Sequence, residues 1–144
     1  MIVQQILKSK GTEGVITVAL GTSVEAAAAV LSEKRIGSVV ISSDGSDCAG
    51  ILSERDIVRE LGKRGPGCMA DTVDDMMTKV IETCTQSDDA EAVLERMTEG
   101  RFRHMPVISE GTMIGIITLG DVVKARLSEL AMEKDALEGM IMGH

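Results

Sequence analysis

Two short segments carry the residues best suited to chemistry. Gly50-Ile51-Leu52-Ser53-Glu54-Arg55-Asp56 and Gly115-Ile116-Ile117-Thr118-Leu119-Gly120-Asp121 share one pattern: a glycine, two aliphatic residues, a hydroxyl, and a carboxylate three residues on. A hydroxyl where a strand turns into a helix caps that helix, and an acid three residues later completes a capping box. The same geometry suits a ligand. A helix start presents free N–H groups and the positive end of a dipole, which together hold a phosphate. The hydroxyl can donate to a phosphate oxygen, and the carboxylate can accept both vicinal hydroxyls of a ribose. Capping accounts for one such segment. A second in the same register of the chain favours a binding role.

A basic cluster, Arg101-Phe102-Arg103-His104-Met105-Pro106, lies in the more acidic half. Residues 1–72 carry 8 basic and 9 acidic groups; residues 73–144 carry 7 and 14. Two Arg and a His at a strand entrance suit a phosphate. Surface pairing with Glu95 and Glu99 is the competing reading. Arg55, and Arg59 one turn later, would add charge from the other half. Cys84 and His104 fall on neighbouring expected strands, which leaves a thiol-dependent enzyme as a rival. Cys48, Cys68 and Cys84 show no CxxC spacing, and His104 and His144 are the only histidines. Neither a disulfide framework nor a metal site is expected, and no catalytic residue is assigned.

These segments sit inside an internal repeat. Val3-Gln4-Gln5-Ile6-Leu7 matches Val73-Asp74-Asp75-Met76-Met77 at an offset of 70. Val15-Ile16-Thr17-Val18 matches Ile81-Glu82-Thr83-Cys84, and Val24, Ala27, Ala28, Leu31 matches Ala90, Val93, Leu94, Met97, both at 66. The second set is the i, i+3, i+4, i+7 stripe of a buried helix face. The Gly50 and Gly115 segments match at 65, so the drift is loop length. Each repeat reads as a helical lead-in, then strand, helix, strand, turn, strand, helix. Thr22-x-x-Glu25 and Asp88-x-x-Glu91 are the expected capping boxes of the first long helices. Ser43-Asp44-Gly45 and Glu110-Gly111 are the expected hairpin turns. A final helix is expected to about Glu138, with a stripe at Val122, Val123, Leu127, Leu130, Ala131 and Leu137. The expected organisation is residues 1–66, 67–130 and a C-terminal helical extension 131–144, in an α/β fold. A repeat of about 60 residues is marginal alone, so the two are expected to pack with pseudo-twofold symmetry and form clefts.

Composition excludes several roles. The net charge is −8 and the chain has one Phe, no Trp and no Tyr, which argues against nucleic-acid binding by charge or by base stacking. The core must be aliphatic, supplemented by 10 Met. No run approaches the roughly 18 apolar residues of a membrane span. Met1-Ile2-Val3-Gln4-Gln5 lacks a secretory layout, which points to the cytoplasm.

The duplicated unit resembles a CBS domain, and residues 2–130 resemble a tandem CBS pair, or Bateman module, of the small stand-alone kind. The residues that carry the resemblance are the two Gly-x-x-Ser/Thr-x-x-Asp segments, the lead-in Val73 to Thr78, and the run Met97 to Val107. It implies two β-α-β-β-α repeats, and an adenosine ligand such as AMP, ADP, ATP, NAD(H) or S-adenosylmethionine. It further implies that Asp56 and Asp121 hold ribose hydroxyls and that Ser53 and Thr118 touch phosphate. Thr17 and Thr83 would lie beside the nucleotide. Arg103, His104, Met105 and Pro106 would line the second pocket. The first repeat departs from this, with Gly37-Ser38-Val39-Val40 in place of the basic tetrapeptide, so unequal sites are expected. The leading expectation is a regulatory homodimer, not an enzyme, acting on a partner in trans. The rivals are a dimeric adaptor with empty pockets and the Cys84-dependent enzyme.

Overall fold

The β-branched run Val15-Ile16-Thr17-Val18 favours an extended chain, and the structure, a computed structural model that describes residues 1–11 and 14–142, places strand β1 there at Thr17–Ala19. His144 lies outside the described residues. The order continues as helix α2 (Val24–Lys34), strands β2 (Ser38–Ser42) and β3 (Gly50–Ser53), and helix α3 (Glu54–Arg64). β1 pairs parallel with β2, Thr17 opposite Val40; β2 pairs antiparallel with β3, Ser38 opposite Ser53. The second repeat gives α5 (Ala90–Gly100), β4 (His104–Ser109), β5 (Thr112–Thr118) and α6 (Leu119–Ile141). The lead-ins are α1 (Val3–Ser9) and α4 (Val73–Met76), and a 3-10 turn, Pro66–Ala70, follows α3.

The repeats exchange their lead-ins. Among the described residues one compact unit holds 1–11, 83–109 and 115–142, and the other holds 14–82 with 110–114. In the first, Ile2 bridges to Asp89 ahead of α5, with Ala90 N donating to Met1 O at 2.9 Å. In the second, Thr72 bridges to Ser23 ahead of α2, with Val24 N donating to Asp71 O at 2.8 Å. Each lead-in thus satisfies helix-start donors of the opposite repeat. Its apolar face then joins that repeat's core. Val3 and Ile6 pack with Val93, Met97, Met105, Val107 and Ile117; Val73 and Met76 pack with Val24, Leu31, Ile41 and Leu52. Each fully buried Val, Leu, Ile or Met contributes about 1.5–3 kcal/mol.

Several local expectations shift by a residue. The cap of α2 is Ser23, whose side chain accepts from Ala26 N, rather than Thr22. The cap of α5 is Asp89, without a side-chain bond, while Asp88 instead accepts from Thr85 N at 2.8 Å. In both places adjacent residues have equivalent capping chemistry. The second repeat's first strand shrinks to one parallel bridge, Cys84 to Val107. Glu82 and Thr83 there are exposed, and Ile81-Glu82-Thr83-Cys84 lacks the continuous β-branched character of its counterpart. Glu110 and Gly111 form the expected turn with φ of 51° and 79°. The last helix is longer than expected, and only Val122 and Ala125 of it are buried. The rest of its expected stripe is exposed.

Both long repeat helices end alike. Arg35 and Arg101 take left-handed backbone, φ 54° and 55°, and their N–H groups donate to Leu31 O and Met97 O. Glycine is the usual residue there, so the shared use of arginine reflects the duplication at the level of backbone.

Candidate functional site

The two helix entrances are built the same way. At α3, Ser53 is the N-cap: its Oγ accepts from Asp56 N at 3.2 Å, and Asp56 Oδ2 accepts from Ser53 N and Ser53 Oγ, both at 3.0 Å. At α6, Thr118 Oγ1 accepts from Asp121 N at 3.1 Å and Asp121 Oδ2 accepts from Thr118 N at 2.9 Å. The first N–H of each helix donates to the strand entrance beside it: Glu54 N to Gly37 O at 2.9 Å, Leu119 N to Arg103 O at 2.8 Å. The capping boxes are therefore real. They also fix a carboxylate, a hydroxyl and helix-start N–H groups in one place, twice.

The glycine that opens each segment has a steric cause. A Cβ at Gly115 would lie 2.8 Å from Leu7 Cδ2, and one at Gly50 would lie 2.7 Å from Met77 Cγ. Leu7 and Met77 are the matching residues of the exchanged lead-ins. The bare backbone admits them, so the segment's first residue positions the lead-in and its last residues build the site.

Each carboxylate receives a cation, from different sources. Asp56, 7% exposed, receives Arg59 Nη2 at 3.0 Å from one turn along its own helix. Arg59 therefore pairs with its own unit's carboxylate. Asp121 receives Lys10 Nζ at 2.8 Å, which also donates to Ile116 O at 2.8 Å. Lys10 follows α1 and reaches Asp121 because the lead-ins are exchanged. The sequence reading missed it, since the matching position in the other lead-in is Val80, 93% exposed.

The Asp121 carboxyl lies below the usual carboxylate range. Burial pushes it up, but the Lys10 ammonium and the Thr118 N–H and hydroxyl outweigh this. A depressed folded value stabilises the fold above the ordinary pKa of 3.8 and is lost as pH falls through the folded value. In Lys10→Met the burial effect persists without the ammonium, so this contribution shrinks. With both side chains partly exposed, the expected loss at neutral pH is about 0.5–1 kcal/mol. Urea melts between pH 7 and 3 should show the wild type's advantage narrowing as the pH falls through the folded value of Asp121; a difference that is absent, or constant with pH, would contradict this.

The remaining expected residues fall in several places. Thr17 opens β1 and is half-buried, and Arg55 is exposed on the first turn of α3. Thr83 is exposed, its carbonyl accepting from Arg96 Nη2 at 2.9 Å. Arg103 is exposed and His104 half-buried, and the Arg103 carbonyl contact above places that residue beside the α6 entrance. Met105 is 0% exposed and Pro106 is buried, so both side chains belong to the core. Arg103 and, in part, His104 are the solvent-accessible residues of that tetrapeptide.

Cys84 is 3% exposed, and its Sγ lies 3.8 Å from Pro106 O. Burial pushes its thiol up to about 11, with Asp88 adding to the effect. Native Cys84 should react with iodoacetamide at pH 7.5 on the order of 100-fold more slowly than in urea, following thiolate fraction. Fast, selective native labelling would revive a thiol nucleophile. Among the described residues no cluster of His, Cys, Asp and Glu has the makings of a metal site. None of the described helices is long and apolar enough to cross a membrane.

A family model for the CBS domain matches residues 6–63 and again 73–128. The chain belongs to the CBS-domain family. This CBS pair is 32% identical over 117 residues to the mitochondrial CBS domain-containing protein CBSX3 of Arabidopsis thaliana. That match covers 78% of this chain and 57% of the curated relative's length. The fold is similar to that of the CBS-domain containing protein ATU1752 from Agrobacterium tumefaciens, with TM-score 0.83, 38% identity, and coverage of 88% of this chain and 99% of that one. Two ligand complexes share the fold at lower identity. PAE2072 from Pyrobaculum aerophilum, complexed with AMP, has TM-score 0.77 and 20% identity, covering 92% of this chain and 99% of that one. The CBS pair of MJ0100, with methylthioadenosine and S-adenosylmethionine, has TM-score 0.77 and 22% identity, covering 90% and 98%.

Proposed function

We propose that this CBS pair is a regulatory module that binds an adenosine-containing ligand (AMP, ADP, ATP, NAD(H) or S-adenosylmethionine) and acts, as a homodimer, on a partner protein in trans. One observation carries the reading: α3 and α6 begin with the same arrangement of hydroxyl, helix-start N–H groups and a fixed carboxylate. In this reading Asp56 and Asp121 accept the ribose hydroxyls, while Ser53 and Thr118 face a phosphate. Arg103 and His104 supply charge at the second site. The AMP of PAE2072 and the two ligands of MJ0100 support the class, because all three contain adenosine with a ribose diol. The near absence of aromatics fits an adenine held between aliphatic side chains. Lys10 on Asp121 and Arg59 on Asp56 give the sites different affinities, because each cation competes with the ribose on different terms.

The reading includes no chemical step, in keeping with the raised Cys84 thiol. Its main rival is an adaptor whose sites stay empty. Thermal denaturation with AMP, ATP, NADH and S-adenosylmethionine separates the two. A ligand at 100 times its Kd stabilises the native state by about 2.7 kcal/mol, so at least one should raise the midpoint by several degrees. A flat response to all four would favour the adaptor.

A further inference from the structure

Helix α6 continues beyond the family match, which ends at residue 128, to Ile141. Every residue from Ala131 to Glu138 is exposed. An uncovered helical segment shorter than about 12–15 residues is marginal in water. This one also carries large apolar side chains into solvent: Leu127 is 62% exposed, Leu137 59% and Ile141 84%. Val123, Leu127, Leu130, Lys134, Leu137 and Ile141 are spaced by alternating fours and threes. That is the a/d row of a helix that packs along another helix. Within its own unit α6 buries a different face, Val122 and Ala125. The row is thus free of the fold that the two repeats build.

We infer that this row is a seam for a second copy of this chain, paired antiparallel. The charges select both partner and direction. A parallel pair stacks Lys134 on the partner's Lys134 and sets Glu133 opposite the partner's Glu138, two like-charge contacts. Turned antiparallel about Met132, Val123 meets the partner's Ile141 and Leu127 meets the partner's Leu137. Leu130 then meets the partner's Lys134, whose aliphatic stem covers it while the ammonium reaches the rim. Lys124 comes opposite the partner's Glu138, and the twofold axis repeats that pair. Glu133 approaches its own copy, with the Lys134 ammonium beside it. An identical chain supplies the matching spacing and charge at once. The inference specifies the seam of the homodimer and is independent of any ligand.

Sedimentation velocity on the full chain tests it. The wild type should sediment as a dimer at micromolar concentration. Leu130→Glu/Leu137→Glu, at two exposed positions, should keep its circular dichroism outside the tail and sediment as a monomer. Lys124→Glu and Glu138→Lys should each weaken the dimer severalfold, and the two together should restore it. A monomeric wild type, or a dimer indifferent to Leu130→Glu/Leu137→Glu, overturns the seam. A charge swap that fails to restore the dimer overturns the antiparallel direction. Neither result bears on ligand binding, which the thermal measurements read separately.

Discussion

Asp56→Asn/Asp121→Asn is expected to bind AMP at least about 100-fold more weakly than the wild type, with its fold intact. A hydrogen bond to a charged group contributes about 1.5–3 kcal/mol, roughly 10- to 100-fold in affinity, and a ribose diol makes two per carboxylate. Asparagine removes the charge and keeps one carbonyl acceptor. That acceptor can still take the Ser53 or Thr118 N–H that the carboxylates hold at 3.0 and 2.9 Å. The caps therefore survive in weakened form, at a cost of about 0.3–1 kcal/mol per helix start. Alanine would remove the cap as well and confuse lost binding with lost folding. The single variants should differ from each other, because Lys10 loses its partner only in Asp121→Asn and Arg59 only in Asp56→Asn. Calorimetry that gives wild-type affinity for the double variant would show the repeated carboxylates to be caps alone.

Gly115→Val is expected to destabilise the fold substantially through a single residue of the motif. Its side chain would occupy the space of Leu7, whose Cδ atoms lie 2.8 and 3.4 Å from the Cβ position. Overpacking of this kind costs about 1–3 kcal/mol, which lowers the melting midpoint by several degrees in a chain of this size. The strain has a specific outlet. Leu7 lies on α1, so the lead-in should detach first, taking Lys10 away from Asp121. Hydrogen exchange should then accelerate across Val3–Ser9 more than in α5 or β4. Gly50→Val is the matched experiment on Val73–Met76. It should cost at least as much, because its Cβ position meets Met77 nearer the backbone, 2.7 Å from Cγ and 3.1 Å from Cβ, where the side chain is least free to move aside. Unchanged exchange in α1 with an unchanged midpoint would mean that Gly115 does not position the lead-in.

Much of this was legible in the chain because it was local. The stripe Val24, Ala27, Leu31 and its counterpart Ala90, Val93, Met97 became buried helix faces, and the Glu110-Gly111 turn formed where expected. The Ser53 and Thr118 capping boxes were readable from spacing alone. Tertiary choices were not. Val3 and Ile6 have the same pattern as Val73 and Met76, so either lead-in could complete either core, and no local signal reveals the exchange. Lys10 was hidden for that reason: its role at Asp121 exists only once α1 packs with the second repeat. Adjacent residues of equal chemistry, Thr22 with Ser23 and Asp88 with Asp89, left the cap positions open by one. In α6 apolar residues point in more than one direction, and only packing shows that Val122 and Ala125 face the core while Leu127 and Leu137 do not.

The ribose contact itself can be isolated on the ligand side, with the protein left unaltered. Calorimetric titration of the wild type should be run with AMP and with 2′,3′-dideoxy-AMP, which keeps the base and the phosphate and lacks both hydroxyls. If Asp56 and Asp121 hold the diol, the dideoxy compound should bind at least about 100-fold more weakly, following the value of hydrogen bonds to a charged group. Equal affinities for the two compounds would contradict the account.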